Sequence, residues 1–431
     1  MTIKMNVKFH HLLILTNLFL ILTFSYCNKQ GYIEKLKEIQ EYKKNSILFM
    51  PPKSIIFEDK DSREGFIEGN ISITIPVNEL NVKDYQIFWG SSASSKLSDT
   101  PVATINKIGT NLVYSISANT QAPSGTTHIL VNSRKTTGEI SELVSTTLQD
   151  AVGWQSLSNL PVNVSDYTHT LANSDTRVYL INYISKSVHH ANINSDGTIG
   201  TWSSLSNSLS LAMNRANAIF YNNRIYITDY TRSYTGTITS TIDWVEGVGR
   251  DSGTCLVKGE NNLYSLSGNS GAIAAYVASF DGTFKLSSWS ALTNLTVQAV
   301  GEQCDTSAQI LSFVSKQGNI SAFQEKPLAA NLKYVESVML NGILYSIGGF
   351  SATEQGAVDT IYYSSLKNSL YEPWKTTSSK LPVAKNHHKA FTANGFIYVV
   401  GGCADDWKPT PNCTITNTVY YARPSASGNI P

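Results

Sequence analysis

The chain has 431 residues, only 15% of them charged, and a formal net charge of +1, so it offers neither the basic face that nucleic acid requires nor an acidic tail. That length accommodates two or three domains with full cores and calls for no staple merely to fold. With 22 Tyr and 15 Phe, and polarity carried mainly by Ser, Thr and Asn, the composition predicts many short strands joined by turns, an all-β fold.

Residues 1–27 read as a leader. Lys4 and Lys8 precede the apolar run Leu12 to Phe24, which is short for a membrane span and is broken by Ser25, Tyr26 and Cys27. A cysteine directly after the apolar core resembles the lipobox of bacterial lipoproteins, with Tyr26 replacing the small residue usual before it. The resemblance implies lipidation of Cys27 and export to the bacterial cell envelope. Asn28, in place of an aspartate, implies the outer membrane, with the body periplasmic or surface-exposed. Ordinary secretion with an unmodified cysteine is the other reading. In residues 28–50, Ile33, Leu36 and Ile39 recur at roughly helical spacing among charges, as in a short tether.

Residues 51–150 contain strand-like runs at "GNISITIP", "DYQIFWG", "PVATINKI", "NLVYSISA", "THILVNSR" and "ELVSTTL". This rhythm resembles an immunoglobulin-like or fibronectin type III-like β-sandwich. The acidic run "FEDKDSREGFIEG" brings Glu58, Asp59, Asp61, Glu64 and Glu68 together, but Arg63 and Glu64 stand where an EF-hand loop needs an oxygen ligand and a glycine. The run predicts a solvated loop entering a strand, and no metal or cofactor is expected.

From residue 151 a repeat sets in. "NGFIYVVGG" at 394 has a close copy, "NGILYSIGG", at 341 and weaker copies at 222, 175, 261 and 308. Each copy follows an aromatic residue (Trp154, Trp202, Trp244, Trp289, Phe323 or Trp374) by 20 to 25 residues, which counts six units. Alternating runs such as "DTIYYSSL", "NTVYYARP" and "KSVHHANI" supply a further strand, and Asn-Gly and Asp-Gly pairs mark hairpin turns. Each unit is thus a four-stranded antiparallel meander, and sheets of this kind must stack to bury both faces, as in a β-propeller. The last unit lacks a fourth strand, which the stretch from Gly153, "GWQSLSNLP", is placed to supply.

"LPVAKNHHKAFTANGFIYVVGG" is similar to the kelch repeat: Leu-Pro, a basic position, a His, an apolar strand, a turn, and an aromatic-bearing strand ending in Gly-Gly. The resemblance spans 151–431 and is strongest in the last two repeats. It implies a six-bladed propeller in which Gly348, Gly349, Gly401 and Gly402 end second strands, and in which His169 and His388, at one repeat position, are structural. No helix pattern or Lys-Ser/Thr follows Gly402, as a phosphate loop would require.

Function must then come from loops. Connections between second and third strands, and between one sheet and the next, emerge on one face, where "TDYTRSYTGTITS", "FSATEQGAVD" and "CADDWKPTPNC" fall. Asp405, Asp406, Trp407, Tyr230, Arg232, Tyr234 and His387 are the candidate ligand-binding residues. Tyr and Trp suit protein or sugar contacts because they are large, amphipathic and stiff. Cys403 and Cys413 share one loop and form a natural disulfide, which leaves Cys255 for Cys304; four free thiols are the alternative. No catalytic residue emerges, since no nucleophile lies beside a base. The expected activity is recognition of a protein or glycan, with membrane contact through the N-terminal lipid and none with nucleic acid. A carbohydrate-active enzyme on a kelch propeller, such as a sugar mutarotase, epimerase or oxidase, is the competing reading, and a structural envelope component the third.

Overall fold

The computed structural model describes residues 33–40, 49–205, 209, 212–213, 216–229, 232–248, 255–258, 262–269, 272–281, 283–284, 286–291, 313–314, 320–321, 332–351, 353, 355–367, 370–404 and 414–431. It is all-β, built from several small antiparallel sheets. Residues 33–40 form a helix, and among the described residues no helix is long and apolar enough to cross a membrane. The chain divides into two compact units, and not at a single boundary: residues 1–57, 70–116 and 122–148 form one, and residues 58–69, 117–121 and 149–431 the other.

Seven strands precede the repeats: β1 (Ser54–Ile56), β2 (Phe66–Thr74), β3 (Asp84–Gly90), β4 (Ala103–Asn106), β5 (Leu112–Gln121), β6 (His128–Arg134) and β7 (Val144–Thr147). They form two sheets, in the orders β1-β2-β5 and β4-β3-β6-β7. Period-two alternation decides the faces: Ile71 and Ile73 are buried while Asn70 and Ser72, which alternate with them, are exposed. In the second sheet Tyr85, Ile87, Ile129 and Val131 are buried, and a directly opposed pair, Asp84 and Arg134, is joined by two hydrogen bonds of 2.9 and 2.7 Å.

From residue 149 the second unit is continuous: β8 (Val152–Leu157) comes first, and a four-stranded meander then repeats. The first sheet comprises β9 (His169–Asn173), β10 (Arg177–Asn182), β11 (Val188–Asn192) and β12 (Ser203–Leu205). The second comprises β13 (Asn217–Tyr221), β14 (Arg224–Thr228), β15 (Arg232–Ile238) and β16 (Ile242–Val248), so Trp244 lies in a fourth strand. The third comprises β17 (Cys255–Lys258), β18 (Asn262–Asn269), β19 (Ala272–Ser279) and β20 (Ser290–Ala291). A hairpin of β21 (Phe313–Val314) and β22 (Ile320–Ser321) follows, and Phe323 lies outside the described residues.

Next come β23 (Leu332–Lys333), β24 (Glu336–Leu340), β25 (Ile343–Ile347), β26 (Phe350–Ser351), β27 (Gly356–Ala357), β28 (Ile361–Lys367), β29 (Leu370–Tyr371) and β30 (Lys375–Thr376). Of these, β24, β25 and β28 form a sheet extended by β29 and β30, while β23, β26 and β27 pair separately. The last sheet is β31 (Lys389–Ala393), β32 (Phe396–Val400), β33 (Val419–Arg423) and β8, so the strand carrying Trp154 does complete the last repeat. First strands of successive sheets lie side by side, in the order β24, β31, β9, β13, β17.

The repeat residues explain this stacking. Asn341 and Gly342, and Asn394 and Gly395, all have positive φ, as does the pair Asn222 and Asn223, so each first hairpin turns with the twist of its strands. The glycine pairs fill a different need. A Cβ on Gly401 would stand 2.3 Å from the Val164 carbonyl oxygen, and one on Gly402 would stand 2.6 Å from the His388 Cβ. The Gly402 N–H donates to Val164 O at 2.8 Å and the Gly349 N–H to Lys385 O at 2.7 Å, so each pair joins its own sheet to the segment entering the next. The central tyrosine of two of the copies makes a second joint. Tyr398 donates to Gly197 O at 2.8 Å and Tyr226 to Phe284 O at 2.6 Å, in both cases a turn of the following sheet.

Lys60 and residues 62–65 of the acidic run are exposed, as a solvated loop would be, but two of its carboxylates are not. Asp59 and Asp61 are buried; the Asp59 carboxylate accepts the N–H groups of Asp61, Glu68 and Ala151, and Asp61 is paired with Arg63 at 2.6 Å. Burial pushes Asp59 up to about 6, against the pull of those N–H groups. These carboxylates satisfy backbone donors that would otherwise be buried and unpaired.

Candidate functional site

Three segments far apart in sequence meet where the first strands begin. Tyr167, Tyr334 and His387 each stand two residues ahead of a first strand, at β9, β24 and β31 respectively. Because those strands are neighbours, the three rings are brought together: His387 lies with its centroid 4.3 Å from Tyr167 and 4.1 Å from Tyr334. The His387 imidazole is buried, and Tyr167 is 43% exposed.

Hydrogen bonds fix the imidazole. His387 Nδ1 lies 3.0 and 3.2 Å from the two carboxylate oxygens of Asp166, and Nε2 lies 2.9 Å from the Tyr167 hydroxyl. Burial would raise the Asp166 carboxyl, but the His387 hydrogen bond and the Lys389 charge outweigh it and hold it below the usual carboxylate range. An ionised carboxylate only accepts, so Nδ1 carries a proton, and in the neutral imidazole Nε2 accepts from the phenol. Both His387 (φ 50°) and Tyr334 (φ 56°) adopt left-handed backbone, which non-glycine residues avoid without a compensating contact.

Charged groups surround this set. Lys389, first in β31, is paired with Glu336, first in β24, at 2.7 Å. Burial raises the Glu336 carboxyl, and the Lys389 ammonium acts against that rise. His388, fully buried, faces the other way. Its ring lies against Gly348 and its Cβ against Gly402, burial holds it down to about 3, and neither ring nitrogen has a hydrogen-bond partner among the described residues. His169 is also buried, bonded to Thr168 and Asn182, and held down to about 4 by burial first. Both are buried at one repeat position, just ahead of or at the start of a first strand. Lys385 is buried with its ammonium on the Thr416 and Thr418 hydroxyls at 2.7 and 3.0 Å, and burial lowers it to about 8.

The other expected residues fare differently. The stretch after residue 227 is mostly strand, with only residues 229–231 between β14 and β15, because Ser233 to Thr237 pair with both neighbouring strands. Tyr234 is therefore buried in the core beside Ile227 and Ile242, a correction to its expected place on a loop. Arg232 opens β15, and its guanidinium donates to Ala212 O at 2.5 Å. Tyr230, Asp405, Asp406, Trp407, Cys413, Cys304 and Cys27 lie outside the described residues, and only the backbone of Cys255 is described, in β17. Cys403 is buried, bridged antiparallel to Asn386 and Ile415. Trp154, Trp202 and Trp289 pack partly buried against sheet cores, and Trp374 is half-buried ahead of β30. Among the described residues no group of three or more His, Cys, Asp or Glu is placed to hold a metal ion.

Sequence reasoning reached His387 alone of this cluster. Asp166, Tyr167, Tyr334, Glu336 and Lys389 carry no motif of their own; the available signal was that Tyr167 and Tyr334 share His387's offset from a first strand, while Glu336 and Lys389 both open one.

No protein-family model matches the chain, and no curated protein matches it. Among solved structures, one titled "Structure of YjhT" is similar over 61% of this chain and 95% of that chain, with 11% sequence identity and a TM-score of 0.43.

Proposed function

We propose that the second unit is a six-bladed kelch-like β-propeller and that the protein recognises a glycan at the face where its first strands begin. The propeller reading is supported by the meanders, the side-by-side first strands and the completion of the last sheet by β8. The observation that carries the functional reading is the convergence of Tyr167, Tyr334 and His387 with Asp166, Glu336 and Lys389 on that face. Exposed aromatic area beside fixed carboxylate and ammonium groups meets the two demands of a sugar ring, an apolar face and directional hydroxyls.

The first unit, with its three-stranded and four-stranded sheets, is the stalk in this reading, an immunoglobulin-like or fibronectin type III-like sandwich. The leader and Cys27 support export and lipid anchoring in a bacterial envelope; a diacylglyceryl mass increment on Cys27 in protein from membranes tests this. A Cys403–Cys413 disulfide belongs to the same reading, two cysteines of one exported chain sharing a loop of the sequence. The recognition test is a glycan array probed with wild type and Tyr167→Ala. Binding that falls at least about tenfold in the variant, with folding intact, is expected. Equal binding by the two proteins, or an array silent to wild type, overturns the reading.

A further inference from the structure

Tyr167 is 43% exposed, yet its hydroxyl is hydrogen-bonded to an imidazole that is itself held by a carboxylate. A tyrosine that served only as a stacking surface would need neither partner. We propose that Tyr167 is a proton-transfer residue, positioned by His387 and Asp166, that acts on a hydroxyl group of the bound ligand. The ligand class rests on the glycan reading above; the activation of the phenol does not.

The geometry supplies each requirement of such a step. Nδ1 of His387 is committed to Asp166, so Nε2 is the basic nitrogen, and it faces the phenol at 2.9 Å. The Tyr167 and Tyr334 rings lie against the imidazole on the scale of direct ring contact and restrict its rotation. The left-handed backbone at His387 and at Tyr334 is a second, independent mark of a position kept for function. As the ligand hydroxyl gives its proton to Tyr167 Oη, the phenol's own proton passes to His387 Nε2. An O–H bond breaks and forms at Tyr167, the ligand becomes an alkoxide, and the resulting imidazolium is balanced by the Asp166 carboxylate. The reverse transfer restores the site, with no oxidant or further reactant. Other titratable groups facing the set are the Lys389–Glu336 pair from β31 and β24, and the neutral His388 behind His387.

A phenol next to a base also reacts faster with electrophiles, and this gives a test independent of any ligand. The full chain is treated with benzenesulfonyl fluoride and the modified tyrosines are mapped by mass spectrometry, with N-acetyltyrosinamide as reference. Tyr167 is expected to react at least about tenfold faster than the reference, and His387→Gln to remove that advantage. If His387→Gln fails to fold, Asp166→Asn carries the test: it should slow labelling and shift its pH profile while the thermal midpoint moves little. Labelling of Tyr167 no faster than the reference, or unchanged in Asp166→Asn, overturns the proposal. Labelling as expected from a protein silent on the array would retain the relay and remove the glycan; glycan binding without preferential labelling would do the reverse.

Discussion

His388 should make the fold acid-sensitive in a way that can be isolated. Its ring is fully buried against the glycine-bearing ends of two second strands, without a hydrogen-bond partner among the described residues, and burial holds it down to about 3. In the unfolded chain it titrates near the ordinary value of 6.5. Below that pH the unfolded state binds a proton that the folded state refuses, so stability is present above 6.5 and is lost as pH falls towards 3. From pH 7.5 to pH 5 the loss from this one residue is about 2 kcal/mol, being 1.36 kcal/mol for each of roughly one and a half pH units below 6.5. Urea unfolding, followed by tryptophan fluorescence at both pH values, should show wild type losing about 2 kcal/mol more than His388→Gln. Each protein is compared with itself, so the cost of the substitution cancels. His169 contributes a loss of the same sign to both proteins, while Asp59, raised to about 6, stabilises both as pH falls through that value. Equal losses in the two proteins would refute a neutral, desolvated His388.

Gly401 and Gly395 both have positive φ, but open space surrounds the second, so Gly395→Ala should cost about 1 kcal/mol and Gly401→Ala more than about 3 kcal/mol, read from the same urea curves. Tyr398→Phe should cost about 1 to 2 kcal/mol by leaving the Gly197 carbonyl without its donor, and Tyr226→Phe a similar amount at Phe284. Lys385, lowered to about 8, carries a desolvated charge below that pH, a penalty that fades as pH rises through 8 towards 10.5. Lys385→Met should therefore melt higher than wild type at pH 7 and lose its advantage by about pH 10.5. An advantage constant across that range would point to packing instead.

Much of the fold was legible because its determinants are local. Asn341-Gly342 and Asn394-Gly395 announce their turns, and the missing fourth strand after β33 directs attention to Trp154. Tyr234 was misplaced because its polar, hydroxyl-rich neighbours read as loop, while in the sheet Ser233, Thr235 and Thr237 alternate along a strand paired on both sides. The burial of Asp59 within the acidic run was not legible, because charge in sequence reads as solvation and only tertiary structure delivers the N–H of Ala151 to Asp59. The candidate site was least legible of all. Asp166, Tyr334 and His387 become neighbours only because β9, β24 and β31 belong to adjoining sheets, and no one repeat contains more than a part of the set.

The central claim is that ligand is held at the starts of the first strands. The most direct measurement is a crystal structure of the protein soaked with the strongest glycan from the array. The account predicts a sugar ring against Tyr167, with a hydroxyl within hydrogen-bond reach of its phenol and Tyr334, Glu336 and Lys389 around it. A sugar bound instead along the outer strands, or on the first unit, with this cluster unoccupied, would contradict it.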